Sequence, residues 1–411
     1  MSTFIWFLII FGTIVIVHEF GHFYFARKSG ILVREFSVGM GPKLYSRRSG
    51  STAYTVRLLP LGGYVRMAGW QDEEADLRPG MQISLISGPD GKIKRINTSD
   101  KLMLEGGVPV QVSASDLVDQ LTISGYANGD ESELLTWDVD HDATVIEKDG
   151  TEVQIAPRDV QFQSVSVWRR ILVNFAGPLN NFILALVAFF ILALTMGVPS
   201  SSNQIGAVTS GSPAAQSGLK ANDRIVAVDG KKTSSFQAVA KQIAKHKGSD
   251  IKLAVRRGSK DIHLQVKPKK GVIGITSAID RKFSTALKYA VTEPWQLTRQ
   301  ILGALRSLVT GGFSLNKLAG PVGIYTMTSQ ATSGGLYTII WFMASLSINL
   351  GIMNLLPIPM LDGGKIVLNI IEMIRRKPLP PDKEGMVTLV GAALVFALMI
   401  AVTINDILRI F

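Results

Sequence analysis

Residues 4–25 read FIWFLIIFGTIVIVHEFGHFYF. About 20 apolar residues suffice to cross a bilayer as a helix, and this run is that long. It nevertheless carries three ionisable groups, His18, Glu19 and His22, near its C-terminal end. On a helix, positions i and i+4 share a face, so His18 and His22 can reach one cation together. Glu19 then stands beside that cation, placed to take a proton from water. From Phe4 to His18 a helix rises about 21 Å, which puts the three groups towards one side of a hydrocarbon core roughly 30 Å thick. Ionisable groups at that depth are costly unless paired or hydrated, and mark a functional site by default. The plainer alternative is an interfacial cluster that merely ends the span. The run has no basic n-region and no small-residue cleavage site, so it reads as a retained span, not a signal peptide.

Three more apolar stretches follow, at 171–196, from about 336 past Asn354, and at 387–404. The expected fold is a polytopic α-helical membrane protein with four transmembrane helices, within 1–28, 168–197, 336–374 and 386–408. Composition agrees: 47% of the 411 residues are hydrophobic and mean hydropathy is +0.26, yet 18% are charged. Spans joined by water-facing parts satisfy both figures. There is no cysteine, which excludes disulfides, thiolate metal sites and a cysteine nucleophile. The net charge of +11 is unevenly spread, with 19 acids against 7 bases in residues 71–165. Basic groups cluster beside the apolar runs, at Arg27-Lys28, Arg169-Arg170 and Arg375-Arg376-Lys377. Such flanks read as cytoplasmic anchors and not as a nucleic-acid surface. They place 26–169 and 365–385 inside the cell, both termini outside, and the site towards the cytoplasmic face.

Between the spans, residues 29–70 are expected to hold a membrane-associated β-hairpin over 54–67, turning at Pro60–Gly63. Residues 71–165 read as an acidic, β-rich cytoplasmic insert. Residues 202–276 form a second compact unit, outside the cell. Residues 283–335 read as an amphipathic helix and linker, with a surface loop before 318.

A catalytic zinc takes three protein ligands and leaves a fourth position open. The best third ligand is Asp362, in Asn354-Leu355-Leu356-Pro357-Ile358-Pro359-Met360-Leu361-Asp362-Gly363-Gly364. The prolines should break the third span there, and the predicted orientation brings Asp362 to the depth of His18. Alternatively, Asp362 only caps a helix beginning at Gly363. His18-Glu19-Phe20-Gly21-His22 and Leu361-Asp362-Gly363-Gly364 are together the two signatures of the site-2 protease family, which this chain resembles almost end to end. The hairpin around Pro60–Tyr64, Gly39-Met40-Gly41-Pro42 and Ala176-Gly177-Pro178-Leu179-Asn180-Asn181 match as well. The likeness is greatest to the bacterial RseP/RasP/Eep branch. It implies an intramembrane zinc metalloprotease of the bacterial plasma membrane, with zinc on His18, His22 and Asp362 and with Glu19 as the catalytic base. It also implies regulated intramembrane proteolysis of single-pass proteins embedded in the lipid bilayer, such as pre-trimmed anti-sigma factors and remnant signal peptides.

Ser212-Pro213-Ala214-Ala215 through Asp229-Gly230 looks like the heart of a PDZ domain, which either binds an extended peptide or blocks access sterically. The candidate substrate contacts are Asn354, Asn349, Gly62 and Gly63. Against them stand interhelical packing for the asparagines and a membrane-resting loop for the glycines. Asn180 and Asn181 read as packing residues near the site. Asp138, Asp140 and Asp142 space like a calcium loop but lack its glycine and terminal glutamate, so they read as a solvated acidic edge. Three rivals remain: a membrane-anchored zincin acting outside the bilayer, a non-catalytic scaffold and a metal transporter.

Overall fold

The computed structural model describes residues 3–69, 77–99, 106–130, 132–246, 248–311 and 318–410. The helices among them are α1 (Thr3–Lys28), α2 (Val167–Thr195), α3 (Pro213–Gln216), α4 (Phe236–Ile243), α5 (Phe283–Thr310), α6 (Pro321–Ser333), α7 (Leu336–Asn354), α8 (Asp362–Arg375) and α9 (Pro381–Ile410). The chain divides into two compact units, residues 1–185 with 296–411, and residues 186–295.

Among the described residues, four helices are long and apolar enough to cross a membrane: α1, α2, α7 and most of α9. In the first unit, Ile10 and Ile14 of α1 pack with Ile339 and Phe342 of α7 and Leu184 of α2. The opposite faces stay exposed and apolar, with Ile9 and Ile16 on α1 and Leu389 and Leu394 on α9. Such a surface suits lipid. Small and polar residues join the helices, as expected where lipid gives helices no hydrophobic drive to associate. Asn180 Nδ2 donates to the Val17 carbonyl (3.1 Å), and Ser347 Oγ to the Asn181 carbonyl (2.9 Å). At the crossing of α1 and α2, a Cβ on Gly21 would lie 2.3 Å from the Ala176 carbonyl oxygen. Arg170 of α2 makes a bidentate ion pair with Glu372 of α8.

The third span is not one helix. α7 ends at Asn354 and α8 starts at Asp362, because Pro357 and Pro359 cannot donate backbone hydrogen bonds. Within the break Met360 takes φ +89°. Gly363 and Gly364 let the first turn of α8 pack onto it, since a Cβ on either would lie 2.3 or 2.2 Å from the Leu355 or Ile358 carbonyl oxygen. Residues 321–333, expected as linker, are helical. Pro321 presets the first turn of α6, and the Asp406 carboxylate of α9 accepts from the Gly320 and Gly323 N–H groups. The loop expected before residue 318 falls largely at 312–317, outside the described residues, as do positions 71–76 and 100–105 of the insert.

Two long strands, β1 (Val33–Ser49) and β2 (Thr52–Met67), pair with each other. They correct the expected hairpin over 54–67. Residues 35–38 face Ala53–Val56 on one side and Gly63–Arg66 on the other. The two arms of β2 therefore do not pair with each other; the start of β1 lies between them. Beyond lie β3 (Gln82–Ser87), β4 (Ile93–Asn97), β5 (Val108–Asp116), β6 (Thr122–Ala127), β7 (Leu135–Ile146) and β8 (Glu152–Gln154). They form one sheet in the order β4-β3-β5-β6-β7-β8, which β4 closes by also pairing with β7. Its interior holds Leu85, Ile96, Ile123 and Val145 among others. Asp140 of this sheet takes an ion pair from Lys94. The sheet's acidic end meets basic residues of β1 and β2 through Lys43–Asp149, Arg48–Glu152 and Arg66–Glu147.

The second unit holds β9 (Val198–Pro199), β10 (Ile205–Val208), β11 (Arg224–Val228), β12 (Lys231–Lys232), β13 (Ile251–Arg257), β14 (Lys260–Val266), β15 (Ile275–Ser277) and β16 (Ile279–Asp280). Four of these make a sheet in the order β12-β11-β13-β14, and β10 pairs with β15. The Ser212 side chain caps α3 by accepting from the Ala215 N–H. Ile205, Ile225, Val239 and Leu253 fill the core.

Candidate metal centre

One helical turn on α1 brings the two imidazoles together. His18 Nε2 and His22 Nε2 are 3.2 Å apart. Asp362, first residue of α8, places Oδ2 3.2 Å from the former and 3.3 Å from the latter. Three ligand atoms around a tetrahedral zinc, each about 2.0–2.1 Å from it, lie about 3.3–3.4 Å from one another. The triangle formed here is that size. All three side chains are buried, at 7%, 7% and 6% exposure.

The outer nitrogens explain why the inner ones converge. His22 Nδ1 lies 2.8 Å from the Val173 carbonyl oxygen of α2. A carbonyl only accepts, so Nδ1 carries the proton and Nε2 offers a lone pair. His18 Nδ1 lies 3.1 Å from the Asn181 amide, and Asn181 Oδ1 is otherwise buried without a partner. With that oxygen turned to Nδ1–H, the second imidazole also offers its Nε2 lone pair. Asp362 Oδ2 is itself buried without a hydrogen bond. Three lone-pair donors thus face one point inside the protein, an arrangement that a divalent cation satisfies. The residues fit zinc.

Gly177 permits the approach: a Cβ there would lie 2.3 Å from His22 Nε2 and 2.8 Å from His18 Cε1. The donors open into a cavity of about 230 Å³ that is also lined by Glu19, Gly63, Tyr64, Asn174, Asn354 and Lys365. A Cβ on Gly63 would come within 3.1 Å of Glu19 Cγ, so β2 runs directly past that carboxylate. Burial and the neighbouring Glu35 carboxylate push the Tyr64 phenol up to about 12, which keeps it protonated beside the cavity.

A family model, peptidase family M50, matches residues 6–398. The chain belongs to peptidase family M50. It is a zinc metalloprotease of the site-2 type and a membrane protein. The "Probable protease eep" of Enterococcus faecalis is 47% identical to this M50 protease over the full length of both chains. A protein of Streptococcus pyogenes serotype M6 named as a zinc metalloprotease is 48% identical over 98% of each chain. A solved PDZ domain of an SdrC-like protein from Listeria monocytogenes is 29% identical, covering 20% of this chain and 90% of its own. Its TM-score of 0.17 is too low to assign a fold.

Of the residues singled out in the sequence, the M50 cavity gathers His18, Glu19, His22, Asp362, Asn354 and Gly63. Asn349 is exposed on α7 and does not line it. Five helical residues turn the direction by about 140°, so Asn349 and Asn354 cannot share a face. Gly62 is not among the lining residues either; it takes φ +99° beside Met40. Sequence reading missed Val173, Asn174, Tyr64 and Lys365. The only available signal was the proximity of Val173 and Asn174 to Ala176-Gly177-Pro178.

Proposed function

We propose that this protease cuts transmembrane segments of single-pass membrane proteins, as the proteolytic step of regulated intramembrane proteolysis. The observation that carries this reading is the convergence on one buried point of His18 and His22, from the apolar membrane-length helix α1, and Asp362, from the start of α8 just after the apolar α7. His18, His22 and Asp362 would hold zinc. Bound there, zinc supplies a Lewis acid that brings the ionisation of water near neutral pH and draws electron density from a carbonyl. Glu19 takes the proton from water and returns it to the leaving amide nitrogen. The Val173 carbonyl and Asn181 fix the tautomer and orientation of the two imidazoles. A helical substrate must unwind to expose a peptide bond, and the edge of β2 at Gly63 offers main-chain groups to the unwound segment. Asn354, at the end of α7, contributes a side-chain amide to the same cavity.

The basic flanks of the spans favour a plasma-membrane protein with its site towards the cytoplasm. The substrates that suit this arrangement are anti-sigma factors already trimmed outside and remnant signal peptides. The second unit is an extracytoplasmic PDZ-type domain in this reading, supported by the capped α3, the β11 strand and the turn at Asp229, φ +47°. It admits trimmed substrates and turns away intact ones. A screen for membrane fragments that accumulate in cells carrying Glu19→Gln tests the proposal. Accumulating single-pass stubs support it; an unchanged fragment profile counts against it.

A further inference from the structure

We propose that Asn174 is a substrate contact: its side-chain amide hydrogen-bonds a backbone peptide group of the segment drawn into the zinc cavity. The inference rests on the intramembrane reading above and adds a residue to it. Asn174 lies on α2, one position after the carbonyl that holds His22, and it lines the cavity with Glu19 and Asn354. The residue is 1% exposed, and its Nδ2 is buried without a partner. No hydrogen bond of its side chain occurs among the described residues. Buried polar groups in folded proteins are almost always paired, and an unpaired one calls for a reason. Asparagine also has a low helix propensity, so helix formation gives no reason for its presence.

The backbone at this position points the same way. Pro178 lies inside α2 and has no N–H, so the Asn174 carbonyl lacks its helical donor. At residue 174 the side-chain Nδ2 is thus without a partner and the main chain without its i+4 donor, beside the zinc ligands. A side-chain amide carries the donor and acceptor of a peptide group. It can therefore pair with an unwound substrate backbone of any sequence, which suits an enzyme that must grip main chain and not side chains. Neighbouring asparagines of α2 are each tied to α1 by one side-chain hydrogen bond, Asn180 to Val17 and Asn181 to His18, whereas the Asn174 side chain makes none among the described residues.

The test uses full-length, zinc-loaded protein in detergent and a fluorescently labelled transmembrane peptide that the wild type cleaves. Asn174→Leu keeps the volume and removes the hydrogen bonds; Asn174→Ala serves if the leucine variant does not fold. Expected are one zinc per chain, a melting temperature equal to or above that of the wild type, and kcat/KM lower by roughly 5- to 100-fold, the range for one lost hydrogen bond. In a Glu19→Gln background the peptide's Kd should rise with the same substitution. Cleavage within twofold of wild type, with zinc retained, would overturn the role of Asn174 alone. Loss of zinc would also overturn it, by making the residue part of the metal's support. A wild type inert on every transmembrane peptide would overturn this proposal together with the intramembrane reading on which it rests.

Discussion

Replacing Asn181 by leucine should weaken zinc binding without unfolding the protein. Asn181 is fully buried, 3.1 Å from His18 Nδ1. Leucine has nearly the same volume, so packing against Ser347 and α1 is kept while the Asn181 acceptor for Nδ1–H is lost. A buried donor left without a partner costs about 1–3 kcal/mol. At about 1.4 kcal/mol per tenfold, the zinc Kd should rise by roughly 5- to 150-fold, in line with the 10- to 100-fold typical of residues that orient a metal ligand. His22 is unaffected, because its partner is the Val173 backbone. Competition against a chromogenic chelator in detergent at pH 7.5 reads the constant. Asn181→Asp keeps an acceptor facing Nδ1–H and should bind zinc at least as tightly as wild type. A leucine variant with unchanged Kd and melting temperature, or an aspartate variant as weak as the leucine one, would refute the account of how His18 is held.

Gly177→Ala should lose zinc and activity, because its methyl group would lie 2.3 Å from His22 Nε2; Gly12→Ala on α1, with open space around it, should keep both, as zinc content will show. Glu372→Ala leaves Arg170 buried without its bidentate partner and should cost about 3–5 kcal/mol, read as a lowered melting temperature that Arg170→Met restores in part. Glu147→Lys breaks the ion pair to Arg66, a neighbour of the cavity-lining Val65; about 0.2–1 kcal/mol is at stake, and hydrogen exchange along β2 should quicken while the core of the acidic sheet stays protected. In the second unit, burial alone would raise the Asp223 carboxyl, but Arg257 and the Lys220 N–H hold it below the usual carboxylate range. A depressed folded pKa adds stability that is present above the unfolded value and lost as pH falls through the folded one. Hydrogen exchange at β11 should therefore accelerate below about pH 4 in the wild type, and Asp223→Asn should flatten that dependence.

The chemistry was legible in the sequence where it demands particular residues at fixed offsets. His18 and His22 share a helix face by spacing alone, and no cysteine competes for the metal. Asp362 could be named because two prolines announce the break that frees it. The supports were not legible, since a carbonyl such as that of Val173 has no residue signature, and Asn181 looked like any packing asparagine. Strand order in β1 and β2 was also hidden, because an alternating pattern does not say that residues 35–38 insert between the arms of β2. α6 fell within the expected linker, although Pro321 at a helix's first turn favours helix. Asn349 does not line the cavity, and its five-residue offset from Asn354 already placed it on another face of α7.

The central claim is that zinc on His18, His22 and Asp362, with Glu19 as base, cuts protein chains within the membrane. It is tested most directly by mass spectrometry of the products formed from a single-pass peptide reconstituted with the zinc-loaded protein in liposomes. The account predicts a cut inside the apolar segment, stopped by a chelator and restored by zinc, and absent in a Glu19→Gln variant that retains one zinc per chain. Cuts confined to the water-soluble flanks, or continued cleavage by Glu19→Gln, would contradict it.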